Sequence, residues 1–105
     1  MNKHVGKKPA SAVPLHLLRA FEATARHMSM KEAAAELHLT PSAISYRVGL
    51  LEKILKCKLQ QKKAGERLTL TEAGYELLPG LTAGFAQIIN AVDGLRDAVA
   101  RKDLT

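Results

Sequence analysis

The sequence predicts a mainly α-helical chain: three short helices, a small β-hairpin and one long helix after it. Three observations carry that reading. Helix start signals recur eleven residues apart, at Ser29 and Thr40, too close together for two long packed helices. Polar and apolar residues alternate on both sides of Lys63-Ala64-Gly65, the pattern of paired strands. From Leu78 to Val99 apolar residues recur at alternating spacings of three and four.

Residues 1–14 contain Gly6, Pro9, Pro14 and three lysines with no periodicity, which predicts a flexible basic tail. A minor-groove arm is the functional alternative, but the segment has no arginine, so a solvated tail is the better reading. The first helix is expected from Leu15 to about His27, burying Leu18, Phe21 and Ala25. A capping box opens the second: Ser29 accepts from the Glu32 amide, and Glu32 reaches back to the Ser29 amide. Ala33, Ala34 and Leu37 form its inner face, and Leu39 anchors the turn that follows. The third helix opens at the N-cap Thr40, with Pro41 in the first helical position, where a missing N–H costs nothing. Ile44, Val48, Leu51 and Leu55 share its inner stripe, leaving Ser42, Ser45, Tyr46 and Gly49 outward.

Lys58–Lys62 and Glu66–Leu70 read as the two strands of a hairpin. A two-stranded hairpin is marginal alone, so Leu59, Leu68 and Leu70 must dock on the helices. The last helix is capped by Thr71 and carries a heptad seam at Leu78, Leu81, Phe85, Ile88, Val92, Leu95 and Val99. Pro79 should kink its first turns. A lone helix has nothing to bury such a seam against, so a partner copy is expected; folding back on the same domain is the alternative. The expected architecture is a winged helix-turn-helix over residues 15–70, three helices plus a short β-hairpin. A long linker and dimerisation helix follows over 71–101, then a short tail over 102–105.

With 105 residues, 47% of them hydrophobic but only 4% aromatic, the chain fits one small domain with an aliphatic core. The net charge is +6, and its placement matters more than its size. Residues 1–14 contribute +3 and residues 56–71 contribute +4, whereas residues 72–105 contribute −2. A basic cluster directly after a candidate recognition helix is the footprint of a polyanionic partner. No run approaches the roughly 18 apolar residues of a membrane span, and no apolar segment marks a signal peptide. The single cysteine, Cys57, fits a reducing cytoplasm and is expected to be a small buried hydrophobe. His4, His16, His27 and His38 have no metal-ligand spacing, so no metal or cofactor is expected. No glycine-rich phosphate loop, nucleophile elbow or carboxylate pair supports catalysis, and the chain is not expected to be an enzyme.

Five stretches, in order and spacing, resemble LysR-type transcriptional regulators. They are Leu18-Arg19-Ala20-Phe21-Glu22-Ala23, Glu32-Ala33-Ala34-Ala35-Glu36-Leu37, Thr40-Pro41-Ser42-Ala43-Ile44-Ser45, Leu51-Glu52 and Leu70-Thr71-Glu72-Ala73-Gly74. The resemblance runs from Pro14 to about Leu95. Within the family, LRAFEATARHMS and LLPGLTAGF look most like the branch containing the glycine-cleavage activator and the β-lactamase regulator. It implies a bacterial, nucleoid-associated DNA-binding domain that dimerises through its linker helix and binds an interrupted inverted repeat. It also implies that an effector-binding domain follows. The sequence ends at Thr105, where that domain would begin, so the expectation is a fragment or a natural truncation that binds no effector. The chain departs from the pattern in places. Members often have Gln at Pro41 and a basic residue at Gly49, and commonly Gly, Pro and Phe at Lys56, Lys58 and Gln60. Gly49 removes a possible phosphate contact, and Gln60 cannot anchor the wing as Phe would.

For DNA reading, Pro41, Ser42 and Tyr46 are the candidates for base contact, with apolar Pro41 and Tyr46 suited to thymine methyls. Arg47 could take a guanine or a phosphate, and Thr40 and Ser45 are hydrogen-bonding candidates for phosphate or base edge. Lys62, Lys63 and Arg67 on the wing would hold the backbone, and Lys31 is a further phosphate candidate. The alternative from another class is a truncated interaction module that heterodimerises with a full-length relative and modulates it. RNA binding is disfavoured by the scarcity of stacking aromatics.

Overall fold

Local signals set the three short helices. In the computed structural model, which describes residues 12–62 and 65–103, α1 spans Leu15–His27, α2 spans Met30–Leu37 and α3 spans Pro41–Leu55. Residues 1–11 of the expected basic tail, Lys63, Ala64 and the last two residues lie outside the described residues. Thr40 Oγ1 accepts from the Ala43 amide at 3.1 Å, and Pro41 sits just inside the helix. Ser29 Oγ accepts from the Glu32 amide at 3.0 Å. The reciprocal half of the expected capping box does not form. The Ser29 amide instead donates to Thr24 O at 3.1 Å, closing the C-terminus of α1, so no free donor remains for Glu32.

The core gathers Leu17, Phe21, Ile44, Val48, Leu51 and Leu59, with Ala20, Ala33 and Ala34 allowing the helices to approach closely. Leu17, not Leu18, is fully buried, and Leu55 in the last turn of α3 lies past the core and is exposed. The hairpin is shorter than its alternating pattern. Strand β1 is Gln60–Gln61 and β2 is Thr69–Leu70, antiparallel, with Gln60 opposite Leu70. As expected, Leu59, Leu68 and Leu70 are buried. Cys57 is exposed rather than buried. It follows the left-handed cap Lys56, where the chain leaves the helix, and Leu59 takes the core position instead.

The long helix α4 spans Glu72–Asp103 and carries Pro79 within it. Thr71 caps it, accepting from the Gly74 amide at 3.1 Å while its hydroxyl donates to Lys58 O at 2.6 Å. Gly74 is needed there, because a Cβ at that position would collide with the backbone carbonyl of Leu59. The expected seam is divided. Leu78 and Leu81 pack on the domain's own core with Ala73 and Leu77, and Phe85 lies under the Arg19 guanidinium, 5.1 Å from ring centre to carbon. Ile88, Val92, Leu95 and Val99 remain exposed, joined by Ile89, which the heptad does not predict.

A polar cluster ties α1 to α2 and α4. The Glu22 side chain is only 2% exposed and accepts from Arg26 Nε at 2.8 Å, Arg26 Nη2 at 3.1 Å and Thr82 Oγ1 at 3.0 Å. Arg26 also donates to Glu36 on α2 at 2.6 and 3.0 Å, and His27 Nε2 lies 2.7 Å from the same carboxylate. Burial raises the Glu22 pKa, but the bonds from Arg26 and Thr82 outweigh it and leave it below the ordinary carboxylate value. Hydrogen bonding from Arg26, opposed by burial and helped by His27, lowers the Glu36 pKa to about 2.

Candidate nucleic-acid interface

The N-terminal turns of α3 project away from the core. Ile44, Val48 and Leu51 face inward, which turns Pro41, Ser42, Ser45 and Tyr46 outward. Tyr46 is 71% exposed, so its ring is open to a partner. Thr40 is occupied as a cap, its hydroxyl shared between the Ala43 amide and Ser42 Oγ at 3.3 Å. Arg47 is half-buried, rotated off the outward stripe by one residue. Lys31 is exposed in the first turn of α2.

Open hollows of about 480 Å³ flank α3 on two sides, and both include Ser45, Gly49, Glu52 and Lys58. One lies toward the wing and reaches Gln61 and Lys62. The other runs along the helix past Tyr46 to Lys53, Lys56 and Cys57. A Cβ at Gly49 would meet nothing within 4 Å, so the missing side chain leaves the floor between them open. Lys62 and Arg67 are exposed on the wing, and Lys63 between them lies outside the described residues. The structure thus brings Ser42, Ser45, Tyr46 and Lys62 to one face.

Two contributions escape the site residues read from sequence. Lys53, Lys56 and Lys58 border the outward face of α3 and extend its positive charge toward the wing. Their signal was the +4 charge of residues 56–71, although Lys53 falls outside that window. Glu52 is the second. Its Oε2 accepts from the Leu59 amide at 2.8 Å and the Gln60 amide at 3.3 Å, fastening the root of the wing to α3. Gln60 itself is buried, and its Oε1 has no hydrogen-bond partner among the described residues. Among those residues no group of three or more His, Cys, Asp or Glu side chains could hold a metal ion, and no helix is long and apolar enough to cross a membrane.

An exposed recognition helix, a short hairpin beside it and a long helix leading away define a winged helix-turn-helix DNA-binding domain. Residues 15–75 match the family described as bacterial regulatory helix-turn-helix protein, lysR family, and the chain belongs to that family. It is 48% identical over 84 residues to the transcriptional activator AmpR of Citrobacter freundii, covering 79% of this chain and 28% of that protein. The glycine cleavage system transcriptional activator of Escherichia coli is 37% identical over 92 residues, covering 88% of this chain and 30% of that one. The chain therefore spans less than a third of the length of these relatives. Its fold matches the DNA-binding domain of CbnR, solved in complex with DNA. The TM-score is 0.65 at 26% identity, covering 82% of this chain and 98% of that one.

Proposed function

We propose that this chain binds double-stranded DNA sequence-specifically, as a homodimer paired through α4, on an interrupted inverted repeat. The exposed Ser42–Ser45–Tyr46 face of α3, bordered by lysines and flanked by the wing, carries the reading. Such a face suits the major groove: hydroxyls reach base edges, the Tyr46 ring meets thymine methyls, and lysines neutralise phosphates. The exposed strip of Ile88, Ile89, Val92, Leu95 and Val99 supports the dimer, because apolar residues at helical spacing gain most when a second copy covers them. In this role the chain acts in the bacterial cytoplasm, at the nucleoid.

Gel shift and light scattering on the isolated chain test the proposal. A dimer that shifts duplexes selected from a random pool in preference to unselected ones at about 150 mM salt is the expected result. Equal binding to both sets sinks sequence specificity. A monomer that shifts DNA only when mixed with a full-length relative would favour the interaction-module alternative.

A further inference from the structure

Besides the ring contact of Phe85 with Arg19, Thr82 makes the contact between α4 and α1 that apolar packing does not account for. Its hydroxyl donates to the buried Glu22 carboxylate from sixty residues away in the chain. The neighbouring contacts of α4 with the domain are of a different kind: Leu77, Leu78 and Leu81 pack on the core without directional bonds. Apolar burial is non-directional, so with its start fastened at Thr71 a helix held by leucines alone could still tilt or roll and bury similar surface. A hydroxyl–carboxylate bond tolerates only tenths of an ångström, so one direction of the helix alone satisfies it. Buried polar groups are best attested in such specifying roles.

The cluster also reaches the DNA-reading element. Glu22 is held by Arg26, Arg26 by Glu36 on α2, and α2 packs against α3. The groups facing Glu22 are Arg26 and Thr82, with Arg19 contributing a favourable longer-range charge. A chain of directional bonds therefore runs from α4 through α1 to the first helix of the helix-turn-helix.

Leverage makes that direction consequential. From Thr82 to Val99 the helix advances about 26 Å, so a tilt of about 10° displaces its far end by about 4.5 Å. That exceeds the rise of one base pair, about 3.4 Å. We propose that Thr82 and Glu22 form a positioning pair, fixing the direction of α4 against the helix-turn-helix and so the half-site spacing that the paired chain accepts. This rests on the dimeric reading above.

The test uses the full chain and duplexes it selects from a random pool, with their half-sites then moved apart by one, two and three base pairs. The unaltered chain is expected to lose about tenfold in affinity for each step away from its preferred spacing. Thr82→Val keeps the shape but removes the hydroxyl. It should bind a single half-site as the unaltered chain does, yet lose no more than about threefold across the re-spaced duplexes. Thr82→Ser, which restores a donor, should recover the discrimination, a rescue that a merely structural role would not require. Glu22→Met removes the acceptor at similar length, tests the pair from its other side and should flatten the profile as Thr82→Val does. Should both keep the unaltered spacing profile, the positioning role is overturned while the dimer stands. An unaltered chain indifferent to spacing overturns the dimeric reading, and this inference with it.

Discussion

Of the three buried polar side chains, Thr24 bonds within its own helix, while Glu22 and Gln60 lie in different parts of the core and are treated differently. Glu22, on the side of α1, α2 and α4, has both oxygens bonded by Arg26 or Thr82. Gln60, at the root of the wing, is 8% exposed and its Oε1 has no partner among the described residues. A buried acceptor without a donor costs about 1–3 kcal/mol, whereas a bonded carboxylate is expensive only when a partner is taken away. The contrast separates a helical frame locked by directional bonds from a wing held by Leu59, Leu68, Leu70 and the Glu52 tether. A frame that must present α3 in one orientation gains from the first arrangement. A short hairpin held mainly by apolar burial can tolerate the second.

The largest expected effect comes from breaking the locked side. Arg26→Ala strips Glu22 of two bonds and leaves its charge buried, which should cost about 3 kcal/mol. That is a large fraction of the roughly 5–15 kcal/mol expected for a domain of this size. Urea unfolding followed by circular dichroism measures it; a loss below about 1 kcal/mol would mean that the cluster contributes little to the frame. On the wing side the sign should reverse. Gln60→Met keeps the side-chain shape and removes the orphan acceptor, so the same measurement should gain about 1 kcal/mol. A loss would place an unseen donor, such as ordered water, at Gln60.

The helical frame was legible in the sequence because its signals are local. Ser29, Thr40 and Pro41 announce helix starts within a turn of where they act, and α1 falls where the Leu15–His27 periodicity puts it. The polar cluster was not legible. Glu22 sits between Phe21 and Ala23 on the buried face, and its partners come from positions 26 and 82, which a pattern along the chain cannot pair. The seam on α4 reads as one stripe, but it is shared between the domain's own core and open solvent, a division fixed by where α1 begins, since Thr82 meets Glu22 and Phe85 meets Arg19. In the interface the outward stripe of α3 came directly from its period. The Glu52 tether did not, because it depends on how the chain turns after Lys56.

The smallest effect tests whether the wing side gives up stability for charge. Lys56 caps α3 in the left-handed region at φ 59, a conformation that costs an ordinary residue roughly 1–2 kcal/mol and glycine little. Met28 and His38 cap α1 and α2 in the same way, so strain alone does not distinguish the two sides. Lys56 differs in bordering the outward face of α3 beside Lys53 and Lys58. Lys56→Gly relieves the strain but gives the unfolded chain more freedom, which leaves a net gain of about 0.5 kcal/mol. The same variant should bind all duplexes more weakly, lowering the slope of log affinity against log salt by about 1 if the ammonium neutralises a phosphate. Stability and grip would then move in opposite directions at one residue. An unchanged salt slope would confine the lysine's effect to the helix end and leave phosphate contact to Lys53, Lys58 and the wing.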